Sequence, residues 1–264
     1  MTWSTGLLGF AAGLLISVVT APVGVSGAVF LLPVQVSVLG VPSPAVTPTN
    51  LLYNVVAGPG ALLRHHRSGG LRGPLTRLLV LGTVPGVVVG AVIRVFAVPG
   101  PSVFRLLIAV LLLPLGGWLC LRTLHRAART APAGDSPGMS PRTITRLAMA
   151  VGVAGGIYGI GGGSLLGPIL VGRGMPVGKV APAALAATFV TSVVGAGTYA
   201  LLSLTTTGDI APYWSLGLAC GLGGLCGGYL GARLQLRLPE TALKLLLGVL
   251  ALGIGGLYAV QILR

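Results

Sequence analysis

Apolar runs separated by short polar or proline-rich breaks divide the chain into ten segments, at about 4–19, 22–39, 46–63, 78–97, 103–122, 145–159, 161–173, 180–204, 213–232 and 242–262. Several reach the ~20 residues that a helix needs to cross a bilayer. The pair at 145–159 and 161–173 is too short to cross twice. It reads as a broken or re-entrant hairpin, which hydrocarbon tolerates only where the interrupted backbone faces protein or water. The pattern predicts an all-α polytopic membrane protein with about eight full transmembrane helices plus broken or re-entrant helical segments. The stretch RAARTAPAGDSPGMSPR, residues 126–142, is the only long polar segment and is rich in Pro, Gly, Ser and Arg. It separates a first transmembrane repeat (1–124) from a second (144–264), leaving 125–143 as a cytoplasmic linker.

The halves resemble each other. A shift of 135 residues lays PVGVSGAVFLLPV (22–34) on IYGIGGGSLLGPI (157–169), matching Gly24 with Gly159, Gly27 with Gly162 and Pro33 with Pro168. It also places Gly60 and Ala61 on Gly195 and Ala196. Further along, GTVPGVVVGA (82–91) falls on GGLCGGYLGA (223–232), with Gly82, Gly86 and Gly90 over Gly223, Gly227 and Gly231. With 44 glycines in the chain some coincidence is expected, so the ordered series carries more weight than any one pair.

Composition agrees with a membrane setting: 54% of residues are hydrophobic and 8% charged, with a mean hydropathy of +0.96. No charged residue precedes Arg64. The basic leader of a cleavable signal is therefore missing, and the first apolar segment is expected to stay in the mature protein. The net charge of +14 does not read as a nucleic-acid face, because its cations punctuate the ends of apolar segments instead of clustering. It reads as the positive-inside rule. Arg64, Arg67, Arg72 and Arg77 flank one loop. Arg122, Arg126, Arg129, Arg142 and Arg146 flank the linker, and Arg173 with Lys179, and Arg233, Arg237 with Lys244, mark two more. These cations belong inside. The connections near 40–46, 98–102 and 205–212 lack Lys and Arg and belong outside, although Arg94 and Arg105 lie close to the second. Both termini are then outside, and the first half opens with an outside-facing hairpin where the second opens with an inside-facing one. The repeats are inverted, an architecture of secondary transporters. The excess of Arg over Lys is compatible with a GC-rich bacterial genome, hence a bacterial inner (plasma) membrane.

The glycine cluster in GIYGIGGGSLLGP (156–168) is denser than the one small residue per turn that helix packing needs. Each glycine costs a helix about 1 kcal/mol relative to Ala, so a helix break is expected there. Gly82, Gly86, Gly90 and Gly223, Gly227, Gly231 fit packing. A half-helix starting around Gly162 to Ser164 offers unpaired N–H groups and a positive dipole end to an anion. The matching stretch Gly24 to Ala28 brings a second such start from the other side. GIGGGS lacks the last glycine of G-x-G-x-x-G and no G-K-[ST] follows, which excludes the usual nucleotide loops.

Polar residues inside apolar segments are the next candidates. Thr47, Asn50 and Asn54 share a helix face after the first hairpin, and Thr188, Thr191 and Ser192 follow the second. Interhelical hydrogen bonding and substrate contact are both open for them. Gln35 is a weaker candidate. The three acidic residues, Asp135, Asp209 and Glu240, fall in the linker, loops or segment ends, so no intramembrane proton relay is apparent. The anion would move by facilitated diffusion or exchange, or carry a proton only as a protonated substrate. His65, His66 and His125 read as solvated boundary positions, no metal or cofactor is implied, and the three cysteines read as buried free thiols.

At GIGGGSLLGPILVGRGMP with KVAPAALAATFVTS, and at GVSGAVFLLPVQVSVLGVP with AVTPTNLLYNVVAG, the chain resembles the sulfite exporter TauE/SafE family, membrane proteins associated with transport of sulfite and organosulfur anions. The resemblance covers nearly everything but the linker. It implies a secondary transporter (permease), not an enzyme, passing a small anion, sulfite or an organosulfonate, by alternating access. Gly159, Gly161, Gly162, Gly163 and Ser164 would face Gly24, Ser26 and Gly27 across the site, with Asn50, Asn54, Thr188, Thr191 and Ser192 completing a neutral lining. Ser26 and Ala28 stand where the second half has Gly161 and Gly163, and the Ser26 hydroxyl bears on anion choice. The alternatives are a carrier of a small carboxylate or other organic anion, and a non-transporting membrane scaffold or assembly protein.

Overall fold

The structure, a computed structural model, describes residues 3–23, 25–66, 73–97, 101–127, 139–173, 175–205, 210–234 and 239–263. Among these residues there is no strand. The helices are α1 (Trp3–Thr20), α2 (Ala28–Ser37), α3 (Val46–His66), α4 (Pro74–Phe96), α5 (Pro101–Ala127), α6 (Pro141–Tyr158), α7 (Gly163–Gly172), α8 (Val177–Ser203), α9 (Trp214–Leu234) and α10 (Glu240–Leu263). The helices α2 and α7 have ten residues each, roughly 15 Å at 1.5 Å per residue and half a bilayer core. The others have 18 or more residues. Among the described residues, four are both long and apolar enough to cross a membrane: α1, α4, α8 from Gly178, and α9. Trp3, Leu7, Leu15, Leu81, Leu121, Leu201 and Leu222 are all exposed on the outside of the bundle, a surface suited to lipid and not to water.

The expected segments and the helices differ in instructive places. The run 22–39 is not continuous: a 3-10 turn (Ala21–Val23) follows α1, and α2 begins only at Ala28. Helices also run past their apolar stretches, because charged side chains at the water boundary do not interrupt backbone hydrogen bonding. Thus His65 and His66 end α3 and His125 lies in α5, so none of them is a loop residue. Residues 128–138 of the expected linker lie outside the described residues. Beyond them Ser140 caps α6, its Oγ accepting from Thr143 N at 3.3 Å, and Pro141 occupies the first turn. All three cysteines are free, but only Cys220 is buried, and Cys226 is exposed on α9. Its place on the outer face of an apolar helix accounts for that without a core position.

Two glycine seams hold the bundle. In the first, α4 packs on α6, and a Cβ added to Gly86 would lie 2.3 Å from Met149 O, one on Gly90 2.1 Å from Val153 O. In the second, α9 packs on α1, and a Cβ on Gly223 would lie 2.0 Å from Phe10 O, one on Gly227 2.2 Å from Leu14 O. Backbones therefore touch with nothing between them. The contacts ascend together along both helices of each seam, so both pairs are parallel. Met149 and Val153 lie 135 residues after Leu14 and Val18, and Gly231 meets Val18 O as Gly90 meets Val153 O.

The remaining packing follows the same exchange. The helix α3 lies parallel to α9, with Leu52 on Gly217, Val56 on Gly221 and Ala57 on Gly224. The helix α8 lies parallel to α4, Gly195 meeting Val87, and Tyr199 clustering with Ala91. Across the centre α3 and α8 are antiparallel, with Gly58 against Phe189 and Leu51 against Gly195. Consequently α1, α3 and α9 run one way, and α4, α6 and α8 the other. The helices α5 and α10 pack chiefly on each other.

Gly90→Val is expected to destabilise the fold by at least ~2 kcal/mol, because a backbone carbonyl cannot yield to a side chain. Gly197 is exposed with no atom near its Cβ position, so Gly197→Ala is expected to stabilise α8 by about 0.5–1 kcal/mol. Thermal unfolding of both variants in detergent checks the pair.

Candidate functional site

The second break forms where the glycines are. The helix α6 ends at Gly159, left-handed at φ +72°, whose N–H donates to Gly155 O, and Gly161 is left-handed at φ +74°. Only glycine adopts such angles without strain. The helix α7 restarts at Gly163. Protein fills the surrounding space. Gly162 N–H donates to Thr191 Oγ1 at 3.0 Å, and Ser164 Oγ donates to Ile160 O at 2.5 Å and lies 3.3 Å from Thr188 Oγ1. A Cβ on Gly159 would meet Thr47 O at 2.3 Å, one on Gly161 Thr188 Cγ2 at 2.8 Å, and one on Gly163 Ala184 O at 1.9 Å. Here the Gly162 donor is engaged, Gly159 seats the end of α6 against α3, and the following glycines seat the start of α7 against α4 and α8.

The first break is built from hydroxyls. Ser26 stands where the second half needs Gly161, yet no residue other than glycine has positive φ among the described residues, so the chain turns differently. Ser26 Oγ accepts from Ala28 N–H at 3.2 Å and donates to Asn54 Oδ1 at 2.5 Å. That donation fixes the Asn54 amide. Its oxygen is occupied, and its Nδ2, in a side chain only 3% exposed, has no hydrogen-bond partner. Thr20 Oγ1, 2% exposed, is likewise unpartnered. Ser17 Oγ and Tyr53 OH pair at 2.6 Å, and Gly27 lies beneath the Tyr53 hydroxyl, where a Cβ would come within 2.2 Å.

These groups surround a cavity that admits the centre of a water-sized sphere over about 40 Å³, room for a few waters or one compact anion. Thr20, Ser26, Tyr53, Asn54 and Thr188 supply its polar wall, while Ala57, Leu185 and Phe189 are part of its apolar wall. A buried donor without a partner costs free energy unless a ligand or water satisfies it. Two such donors on one cavity point to an acceptor-rich guest.

Of the residues expected at the site, Ser26, Gly27, Asn54 and Thr188 meet at this cavity. Thr188 also touches the second break, through Ser164 on one side and Gly161 on the other. Asn50 Nδ2 donates to Ala28 O at 2.9 Å and so anchors the start of α2, leaving Oδ1 unpartnered. Thr191 donates to Ala187 O at 2.6 Å while accepting from Gly162, and Ser192 Oγ is buried and unpartnered near Gly161. Gly24 lies outside the described residues. Gln35 is fully buried in α2, away from the cavity lining.

Three contributors are not apparent from hydropathy. Ser17 and Thr20 are isolated polar residues in an apolar helix, and Tyr53 reads as an ordinary core aromatic. Their signal is spacing, since Ser17 and Thr20 share a face one turn apart. Arg94 also differs from its expected place beside a loop. It is fully buried, donating from Nε to Thr47 Oγ1 at 3.3 Å and from a terminal nitrogen to Ser43 Oγ. Thr47 Oγ1 in turn donates to Ile157 O at 3.2 Å, and Tyr199 OH to Gly156 O at 3.0 Å. This network ties the start of α3 and the end of α4 to the end of α6.

Ser26→Ala is expected to cost about 1–3 kcal/mol, since it leaves Asn54 Oδ1 buried and unsatisfied. Detergent unfolding of the variant, compared with Ser37→Ala at a part-buried hydrogen bond to Tyr258, measures the difference.

Comparison with known proteins adds the family. No curated protein and no solved structure matches the chain. A family model described as Sulfite exporter TauE/SafE matches residues 9–258, through both breaks and both seams. That is a family of membrane transporters and not of enzymes, in keeping with the apolar helices and their exposed outer faces. The chain therefore belongs to the sulfite exporter TauE/SafE family.

Proposed function

We propose that the protein is a secondary transporter of the bacterial inner membrane that passes a small oxyanion, sulfite first among them, by alternating access between two inverted repeats. The observation that carries this is the Asn54 amide. Ser26 holds its oxygen, so the cavity is offered N–H and not C=O, and a donor without an acceptor favours an anion over a cation. The family description supplies sulfite.

The repeat reading is supported by the two parallel seams and by the opposed directions of α1, α3, α9 and α4, α6, α8. With the arginine-rich connections inside, six helices cross (α3, α4, α5, α8, α9 and α10), fewer than the eight expected from the apolar segments, and two hairpins enter from opposite sides, α1–α2 from outside and α6–α7 from inside. In this arrangement the first break holds the cavity and the second is packed. Exchange of the two conditions is the transport step: α7 leaves α8, Gly159, Gly161, Gly162 and Gly163 become accessible, and Ser164, Thr191 and Ser192 take the role that Ser26 and Asn54 play here. Thr188, touching both breaks, stays in the path throughout. Asn50 and Gly27 position the start of α2. The substrate and the lipid bilayer are the partners this mechanism needs.

A second reading has its own observation. Ala57, Leu185 and Phe189 give the cavity an apolar side, which a small carboxylate or the carbon of an organosulfonate would occupy. Competition by carbon-matched carboxylates and sulfonates against labelled sulfite ranks the two.

Counterflow of labelled sulfite into liposomes containing the purified protein is expected to saturate and to exceed that of empty liposomes. Asn54→Asp, which replaces the donor with a carboxylate, is expected to lower the rate more than tenfold, while Gly197→Ala leaves it unchanged. Absence of exchange by the folded protein for sulfite, sulfonates and carboxylates alike leaves only the scaffold.

A further inference from the structure

The cavity also constrains the charge of its guest. Its described lining contains no Lys, Arg or His. What it offers an anion is the unpartnered Asn54 Nδ2, the unpartnered Thr20 Oγ1, and the hydroxyl pair of Ser17 and Tyr53. To these the start of α2 adds the partial positive charge of a helix N-terminus, about half an elementary charge. The first N–H groups of that helix are already engaged: Ala28 N–H with Ser26 Oγ, and Phe30 and Leu31 N–H with Gly27 O. The positive charge facing the guest is thus smaller than one elementary unit.

Removing an ion from water into such a site carries a Born cost that rises with the square of its charge, about fourfold from a monoanion to a dianion. The compensating attraction to fixed dipoles rises only linearly. Neutral donors and half a charge suit one negative charge and fall short of two. The hydroxyls add a second discrimination, since Thr20, Ser17 and Tyr53 can each turn to accept a hydrogen bond as well as donate one. A protonated oxyanion brings both an acceptor face and an O–H. A dianion brings only acceptors. The volume of about 40 Å³ restricts either to a compact group.

We infer that the protein carries its oxyanion as the monoanion, so that sulfite crosses as hydrogensulfite and brings its own proton, while dianions of similar size are refused. This inference rests on the anion-transporter reading. It also gives a proton a way across with no carboxylate, His, Lys or Arg in the described cavity wall.

The test uses three probes with the wild-type protein in liposomes, at equal pH on both sides and stepped from below neutrality to mildly alkaline. Sulfite loses its second proton near neutrality. Chlorate has the same pyramidal shape but stays a monoanion throughout, and sulfate stays a dianion. Labelled sulfite exchange is expected to fall about tenfold per pH unit above its second ionisation. Labelled chlorate should exchange at a rate that varies less than twofold, and sulfate should neither exchange above empty liposomes nor compete. Binding, read as a thermal shift of the detergent-solubilised protein, should follow the same order, and Thr20→Val should weaken chlorate by about fivefold or more. Sulfite exchange that stays constant across the range overturns the inference, as does sulfate competing as well as chlorate. Chlorate failing to compete where sulfite is carried, or falling with pH in parallel with sulfite, overturns it too. In those cases the transporter reading stands, whereas failure of every anion to bind or move removes both.

Discussion

Backbone-to-backbone contact along the two glycine seams is the constraint on which the rest of the bundle depends. Lipid supplies no hydrophobic drive between helices, so association rests on how closely their surfaces approach. At Gly86 and Gly90 in α4, and at Gly223 and Gly227 in α9, approach is limited by the partner's carbonyl oxygens themselves. Each seam clamps one long helix of a hairpin, α6 or α1, to a crossing helix of the opposite half. Each of these helices is therefore held by a helix of the other half of the chain, and the breaks that follow them come to lie beside α3 and α8.

From that placement the chemistry follows. Both breaks reach the central α3–α8 contact, where Asn54 and Thr188 stand on antiparallel helices. The breaks are not equivalent in detail. Three consecutive glycines let α7 press against Ala184 and Thr188, closing the second break. Ser26 and Ala28 carry side chains at the corresponding places, and the first break keeps a cavity. The same serine turns the Asn54 amide so that its donor is left over. A two-residue difference between the halves thus goes with close packing at one break and with a cavity and a free Asn54 donor at the other.

The polar groups around Arg94 meet α3 two turns before Asn54, at the start of the helix. Thr47, Ser43 and Tyr199 link the ends of α3, α4, α6 and α8 by hydrogen bonds, two of them to the backbone just before Gly159. Satisfying so many polar groups in one place rigidifies a region, and here it fixes the end of α6 from which the second break departs.

By itself the sequence determined the apolar segments, the break after Tyr158 and the packing role of the spaced glycines, because each is a local property: hydropathy, helix propensity and periodicity act over neighbours in the chain. It also singled out Asn54 and Thr188 as polar groups out of place in apolar surroundings, and Ser26 by its match to Gly161 in the family motif. It did not distinguish the glycines that seat α7 from glycines that expose donors, since an N–H is open or engaged according to whether Thr191, 29 residues away, reaches it. Nor did it reveal Thr20, Tyr53 or the interior position of Arg94. Those depend on which faces meet when α1, α3, α4 and α9 pack, and on which hydroxyl takes the Asn54 oxygen. Long-range contact, and the pairing of polar groups it permits or denies, was decided only by the tertiary structure.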